Sequence, residues 1–191
     1  ATYYAGRWQE HALGPERGAE LVLRWQSGAL YDRDAPMAAR AASKLADRDN
    51  AAVYLRGASV LHMLRVYLGS EVFDRGIQAY VARFRDGFVE SDQLRRTLED
   101  SSGRHLGWFF DQWVTGTGAA KLESRHRWSD GTLEVKVDQE AAGVVFSAEV
   151  GVEIGRADGT IETARMWLGP GGTRLNVPMS LPPRYVAIDP R

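Results

Sequence analysis

The spacing of apolar residues changes once along the chain, and this change constrains the fold more than any other feature. Through residue 118 the apolar residues recur about every 3.6 positions, and after residue 121 they alternate with polar ones. The change falls within "TGTGAAK" at 115–121. A chain of 191 residues can form two small domains. We therefore predict an α+β protein with an all-α helical domain at 1–118 and a small antiparallel β-sandwich, immunoglobulin-like in type, at 119–191.

Five helical stretches are predicted in the first part. The first begins within "ATYYAGRWQEHALG" and extends through "ERGAELVLRWQSG", with Leu21, Trp25 and Leu30 as apolar contacts. The next runs over 52–67, and two more follow Ser70 and Ser91, which we expect to be their N-caps. The last is "LGWFFDQWV" at 106–114, and residues 31–50 are predicted to form a surface loop with a short helix.

Six or seven short strands are predicted in the second part. The alternation is clearest in "TLEVKVDQ" and in "VVFSAEVGVEI", which begins at Val144. The pair Asp158-Gly159 predicts a hairpin turn. Further strands are expected in "IETARMWLG", "TRLNVPM" and "RYVAIDP".

Composition excludes several classes of function. The net charge of −1, from 24 basic and 25 acidic residues, gives no basic excess for nucleic acid. Cysteine is absent, and no apolar run reaches the ~18 residues of a membrane span. The four histidines are scattered, so we predict no metal ligands: His62 is expected to be packed, and His105 and His126 to face solvent.

The order of the segments resembles the aminopeptidase N family of zinc metallopeptidases, the gluzincins. The similarity lies in "VYLRGASVLHMLRVYLGSEVFDRGIQAYVARF", then "SDQLRRTLEDSSGRHLGWFFDQWV", then a glycine and a β-domain ending in "AIDP". The family pattern Y-x-K-G matches Tyr54 to Gly57, with Arg56 in the place of lysine. The segment Ala1–Tyr3 resembles the end of N-E-G-F-A-x-Y, whose glutamate binds zinc in the family.

This resemblance implies the C-terminal half of a thermolysin-like catalytic domain followed by the β-sandwich. It implies zinc as the cofactor of the intact parent, with none bound by this chain, because H-E-x-x-H and the glutamate would precede Ala1. It also implies a peptide or protein substrate, the missing N-terminal half of the catalytic domain as a partner, and no activity of the fragment alone. Tyr54 would donate its O–H to the oxyanion of the tetrahedral intermediate, since a phenol reaches far and stays protonated near neutral pH.

Two other functions remain open on the sequence. The chain could be a non-catalytic scaffold for protein interactions, or its β-domain could bind glycans through Trp128 and Trp167. Tryptophans in a sandwich are more often core or domain-interface residues. If the chain is a fragment, we expect uncovered apolar surface at Tyr3, Tyr4, Trp8 and the apolar side of 52–67, and self-association through it.

Overall fold

The computed structural model describes residues 1–31, 52–140 and 145–189. The chain divides into two compact units, Ala1–Gly118 and Ala119–Arg191. The predicted surface loop over 31–50 lies, beyond Tyr31, outside the described residues.

The first unit is helical. Its described helices are α1 Thr2–Leu13, α2 Pro15–Tyr31, α3 Gly57–Leu68, α4 Ser70–Phe84, α5 Ser91–Ser102 and α6 Gly107–Phe110. Two π-helical turns join them: the first, Ala52–Arg56, leads into α3, and the second, Asp111–Thr115, follows α6.

The prediction of one long first helix was wrong, because the chain forms α1 and α2 with a break between them. Gly14 has a φ of 95°, which an α-helix cannot accommodate. Pro15 then begins α2, where a residue without an N–H is tolerated since the first amides of a helix have no internal partner.

The apolar faces of the helices pack together in one core. Its fully buried members include Leu64, Phe73, Leu98 and Leu106. Leu21 and Trp25 are buried as predicted, but Leu30 is exposed.

The predicted serine caps were wrong. Gly69 and Glu90 occupy the N-cap positions of α4 and α5. Glu90 forms a reciprocal capping box with Gln93, which satisfies an amide at each end of the motif. The Ser70 hydroxyl instead accepts a hydrogen bond from Arg65 Nε at 3.0 Å.

The second unit contains two three-stranded antiparallel sheets. Its strands are β1 Leu122–Ser129, β2 Thr132–Gln139, β3 Ala148–Gly155, β4 Ile161–Leu168, β5 Thr173–Pro178 and β6 Tyr185–Ile188. The strand order is β1-β2-β5 in one sheet and β4-β3-β6 in the other. Alternate residues of both sheets share one core, which includes Val135, Val152 and Leu168. The predicted α+β class, helices followed by a small antiparallel β-sandwich, is therefore confirmed.

Two strand boundaries differ from the prediction. For β1 no bounds were predicted, although His126 and Trp128 were expected to lie on a strand, because seven of its eight residues are exposed and no apolar alternation marks it. β3 begins at Ala148, and Val144, where the strand was predicted to begin, lies outside the described residues.

Candidate active-site cleft

The first π-helical turn contains Tyr54 and Arg56, and in this turn the aromatic residue is exposed whereas the charged residue is buried. The Tyr54 side chain is 48% exposed, whereas the neighbouring Arg56 is only 5% exposed. Aromatic rings are commonly buried, and arginine almost never is unless it is paired. Single π-helical turns are rare and often lie at functional sites.

The residues beside Tyr54 attach this turn to the helical core. Leu55 packs so tightly on α2 that a Cβ atom at Gly28 would lie 2.2 Å from Leu55 Cδ1. The Ser59 hydroxyl donates to the Leu55 carbonyl at 3.0 Å. Arg56 Nη2 donates to the carbonyl of Gly116 at 2.9 Å. Of Tyr54, Leu55 and Arg56, Tyr54 is therefore the exposed residue.

Tyr54 lines a cleft of about 310 Å³ in the helical unit. The cleft wall is mainly apolar and includes Leu61, Leu94, Phe110 and Val114. A hydrogen bond formed beside such a surface is stronger than one in bulk water because the local dielectric constant is lower. The arrangement therefore offers a phenol that can act as a hydrogen-bond donor to a ligand in the cleft.

Tyr3 also lines the cleft, but the expectation that its side chain is uncovered was wrong. It is 2% exposed, and its ring lies 5.9 Å from those of both Trp25 and Phe73. Burial raises the pKa of Tyr3 to about 12. Its hydroxyl has no hydrogen-bond partner among the described residues.

The other residues that were expected to be uncovered are partly exposed and partly buried. Tyr4 and Trp8 of α1 are exposed, whereas Val60 and Leu64, on the apolar side of the 52–67 stretch, are buried. Self-association through this face stays a prediction.

The histidines differ in their burial. His62 is half-buried, and its pKa is lowered by burial and, to a lesser extent, by the nearby charge of Arg65. His105 and His126 are exposed. Within residues 1–31, 52–140 and 145–189, no three His, Cys, Asp or Glu side chains converge to hold a metal ion. The described residues therefore do not fit a zinc site.

The two tryptophans of the β-sandwich lie in different sheets. Trp128, in β1, donates its indole N–H to the Met179 carbonyl at 3.0 Å. Trp167, in β4, is 48% exposed. The structure does not bring them together in one sheet face, so they form no shared stacking platform. Among the described helices, none is long and apolar enough to cross a membrane.

Sequence reasoning proposed Tyr54 as a site residue, which stays a prediction, and it missed the contact of Arg56 with Gly116. The available signal was an arginine within the otherwise apolar run "VYLRGASVL". That signal identifies a side chain requiring a polar partner, but it cannot locate one 60 positions away.

Three kinds of comparison identify relatives of the chain. Residues 29–113 match the peptidase family M1 domain. Aminopeptidase N from Lactococcus lactis subsp. lactis is 34% identical over 70 residues, which is 37% of this chain and 8% of the relative. Aminopeptidase N from Streptomyces lividans is 33% identical over 94 residues, or 49% of this chain and 10% of the relative.

A solved structure has the same fold. The crystal structure of Legionella pneumophila aminopeptidase A in complex with aspartic acid matches 98% of this chain and 22% of its own, with a TM-score of 0.81 and 17% identity. The matches to the two aminopeptidases N span a tenth or less of those proteins. The chain is thus related to the M1 aminopeptidases, and residues 29–113 are the part that matches their family domain.

Proposed function

We propose that this chain forms part of the catalytic domain of a zinc-dependent aminopeptidase and that Tyr54 stabilises the oxyanion during peptide hydrolysis. The observation that carries the proposal is the half-exposed phenol of Tyr54, which lines the cleft from an anchored π-helical turn. Support also comes from the position of Tyr54 inside the family match and from relatives that are named aminopeptidases.

The proposed chemistry needs only a neutral donor from this chain. When water attacks a peptide carbonyl, a C–O bond forms and the carbonyl π electrons move to the oxygen, which becomes negative. The Tyr54 O–H donates a hydrogen bond to that oxygen and keeps its proton. The C–N bond then breaks, the carbonyl re-forms and the amine leaves with a proton that came from the attacking water. One such donor stabilises the transition state by about 3–4 kcal/mol.

Zinc enters the proposal only through the family. A bound zinc ion would activate the attacking water and polarise the carbonyl. Because the described residues do not fit a zinc site, we assign them no part in holding the metal. We therefore expect the chain alone to leave peptides uncleaved.

Replacing Tyr54 with Phe in the intact enzyme tests this function. We expect kcat on an aminoacyl-p-nitroanilide to fall by about 10²–10³-fold, with KM and the melting temperature nearly unchanged, because the donor acts in the transition state. A substrate whose amino group is acetylated should not be cleaved if the enzyme is an aminopeptidase.

Tyr4→Phe is the matched control, because Tyr4 also lines the cleft and is 45% exposed. We expect its kcat to equal that of the wild type. A Tyr54→Phe enzyme with wild-type kcat would remove Tyr54 from the mechanism. A wild-type enzyme that cleaves no peptide would overturn the proposed function itself.

A further inference from the structure

We propose that Arg56 is a positioning residue, whose bond to the Gly116 carbonyl holds Tyr54 in its orientation toward the cleft. This inference rests on the proposed function of Tyr54. Arg56 and Tyr54 share one five-residue π-helical turn, Ala52–Arg56, so a constraint on one of them restricts the backbone of the other.

The burial of Arg56 shows that its contact is specific. Only 5% of the residue is exposed, and a buried guanidinium is costly unless polar groups satisfy it. The Gly116 carbonyl, 2.9 Å from Nη2, is one of these groups. A charged donor to a neutral carbonyl makes a stronger bond than two neutral groups do.

The accepting end of the bond is also held in place. A Cβ atom at Gly116 would lie 2.5 Å from the Gln112 carbonyl oxygen and 2.9 Å from that of Asp111. Gly116 has a φ of −76°, so this close approach, rather than an unusual backbone angle, requires glycine. Gly116 therefore lies directly against the main chain of the second π-helical turn.

The bond joins the first π-helical turn to the residue that directly follows the second one, and both turns contribute to the cleft. Tyr54 lines the cleft from the first turn and Val114 from the second. The bond therefore restrains Tyr54 relative to the part of the cleft wall that Val114 forms. Misplacement of a catalytic group by about 1 Å can cost about 10²-fold in rate.

The alternative is that Arg56 only stabilises the fold. A double-mutant cycle in the intact enzyme separates the two roles. If Arg56 acts through Tyr54, Arg56→Met should lower kcat by about tenfold or more with little change in KM. The same substitution in a Tyr54→Phe background should change kcat by less than about threefold, because the group being positioned is already absent. Equal effects in both backgrounds, or an unchanged kcat, would overturn the proposal.

Arg104→Met is the matched control. Arg104 also donates to a distant main-chain carbonyl, that of Tyr67 at 3.0 Å, but neither residue lines the cleft. We expect Arg104→Met to leave kcat unchanged. Arg56→Lys keeps a charged donor and should keep kcat within about threefold of the wild type. If Arg56→Met does not fold, Arg56→Gln takes its place with the same expectations.

A second measurement does not depend on peptidase activity. Hydrogen exchange of the 191-residue chain reports the opening of the first π-helical turn directly. We expect the amides of residues 54–57 to exchange about tenfold faster in Arg56→Met and at the wild-type rate in Arg104→Met. Unchanged exchange in Arg56→Met would overturn the positioning role. If exchange is faster in Arg56→Met but the intact wild-type enzyme cleaves no peptide, the positioning role stands and the proposed function fails.

Discussion

At the scale of single residues, the hydroxyl of Tyr3 is a buried polar group without a hydrogen-bond partner among the described residues. Such a group costs about 1–3 kcal/mol relative to its hydrated state. We therefore predict that Tyr3→Phe leaves the free energy of unfolding unchanged or raises it by ~1 kcal/mol at pH 7. Urea denaturation followed by circular dichroism measures this, and a loss of more than ~1 kcal/mol would show that the hydroxyl makes a stabilising contact.

The raised pKa of Tyr3 also makes the stability of the folded chain depend on pH in the alkaline range. Because the folded chain keeps the phenol neutral up to about pH 12 and the unfolded chain ionises it near pH 10, the folded state loses stability as the pH rises through this window. Below pH 10 the contribution does not vary. Tyr3→Phe should lose less stability than the wild type between pH 9 and pH 11, measured by the same denaturation. Parallel losses in the two proteins would contradict the prediction.

At the scale of elements, the break between α1 and α2 depends on the backbone of Gly14. Its φ of 95° is strained for any residue with a Cβ, although no atom would contact that Cβ within 4 Å. We predict that Gly14→Ala lowers the free energy of unfolding by ~1–2 kcal/mol. Gly107→Ala, equally uncrowded and without a positive φ, should not lower it. Thermal melts of the two variants measure the difference, and equal melting temperatures would refute it.

The same elements show what a sequence can reveal. Apolar spacing predicted α3 to α6 and most of the strands because each buries one face. It could not reveal β1, which has no buried face, or the break at Gly14, because the apolar stripe continues across it. The motif was enough to propose Tyr54, whereas the cleft and the Arg56–Gly116 bond depend on contacts between segments distant in sequence.

At the scale of the whole molecule, each unit has a hydrophobic core of its own. Residues 119–191 bury complete side chains of Leu133, Ile154 and Leu168 within their own two sheets. We predict that this segment, expressed alone, folds into a β-rich state with a cooperative thermal transition, although a unit of this size is only marginally stable. Circular dichroism measures it, and a non-cooperative melt would contradict the prediction.

The first π-helical turn has a consequence for how this chain tolerates changes in length. A π-helical turn contains one residue more than the α-helical turn it replaces, and each residue advances an α-helix by about 100°. The direction in which the Tyr54 side chain points around the helix axis therefore depends on the number of residues in the turn as well as on their identity. Losing Leu55 or Arg56 would turn the phenol about a quarter of a circle away from the cleft, in addition to removing that residue's own contact.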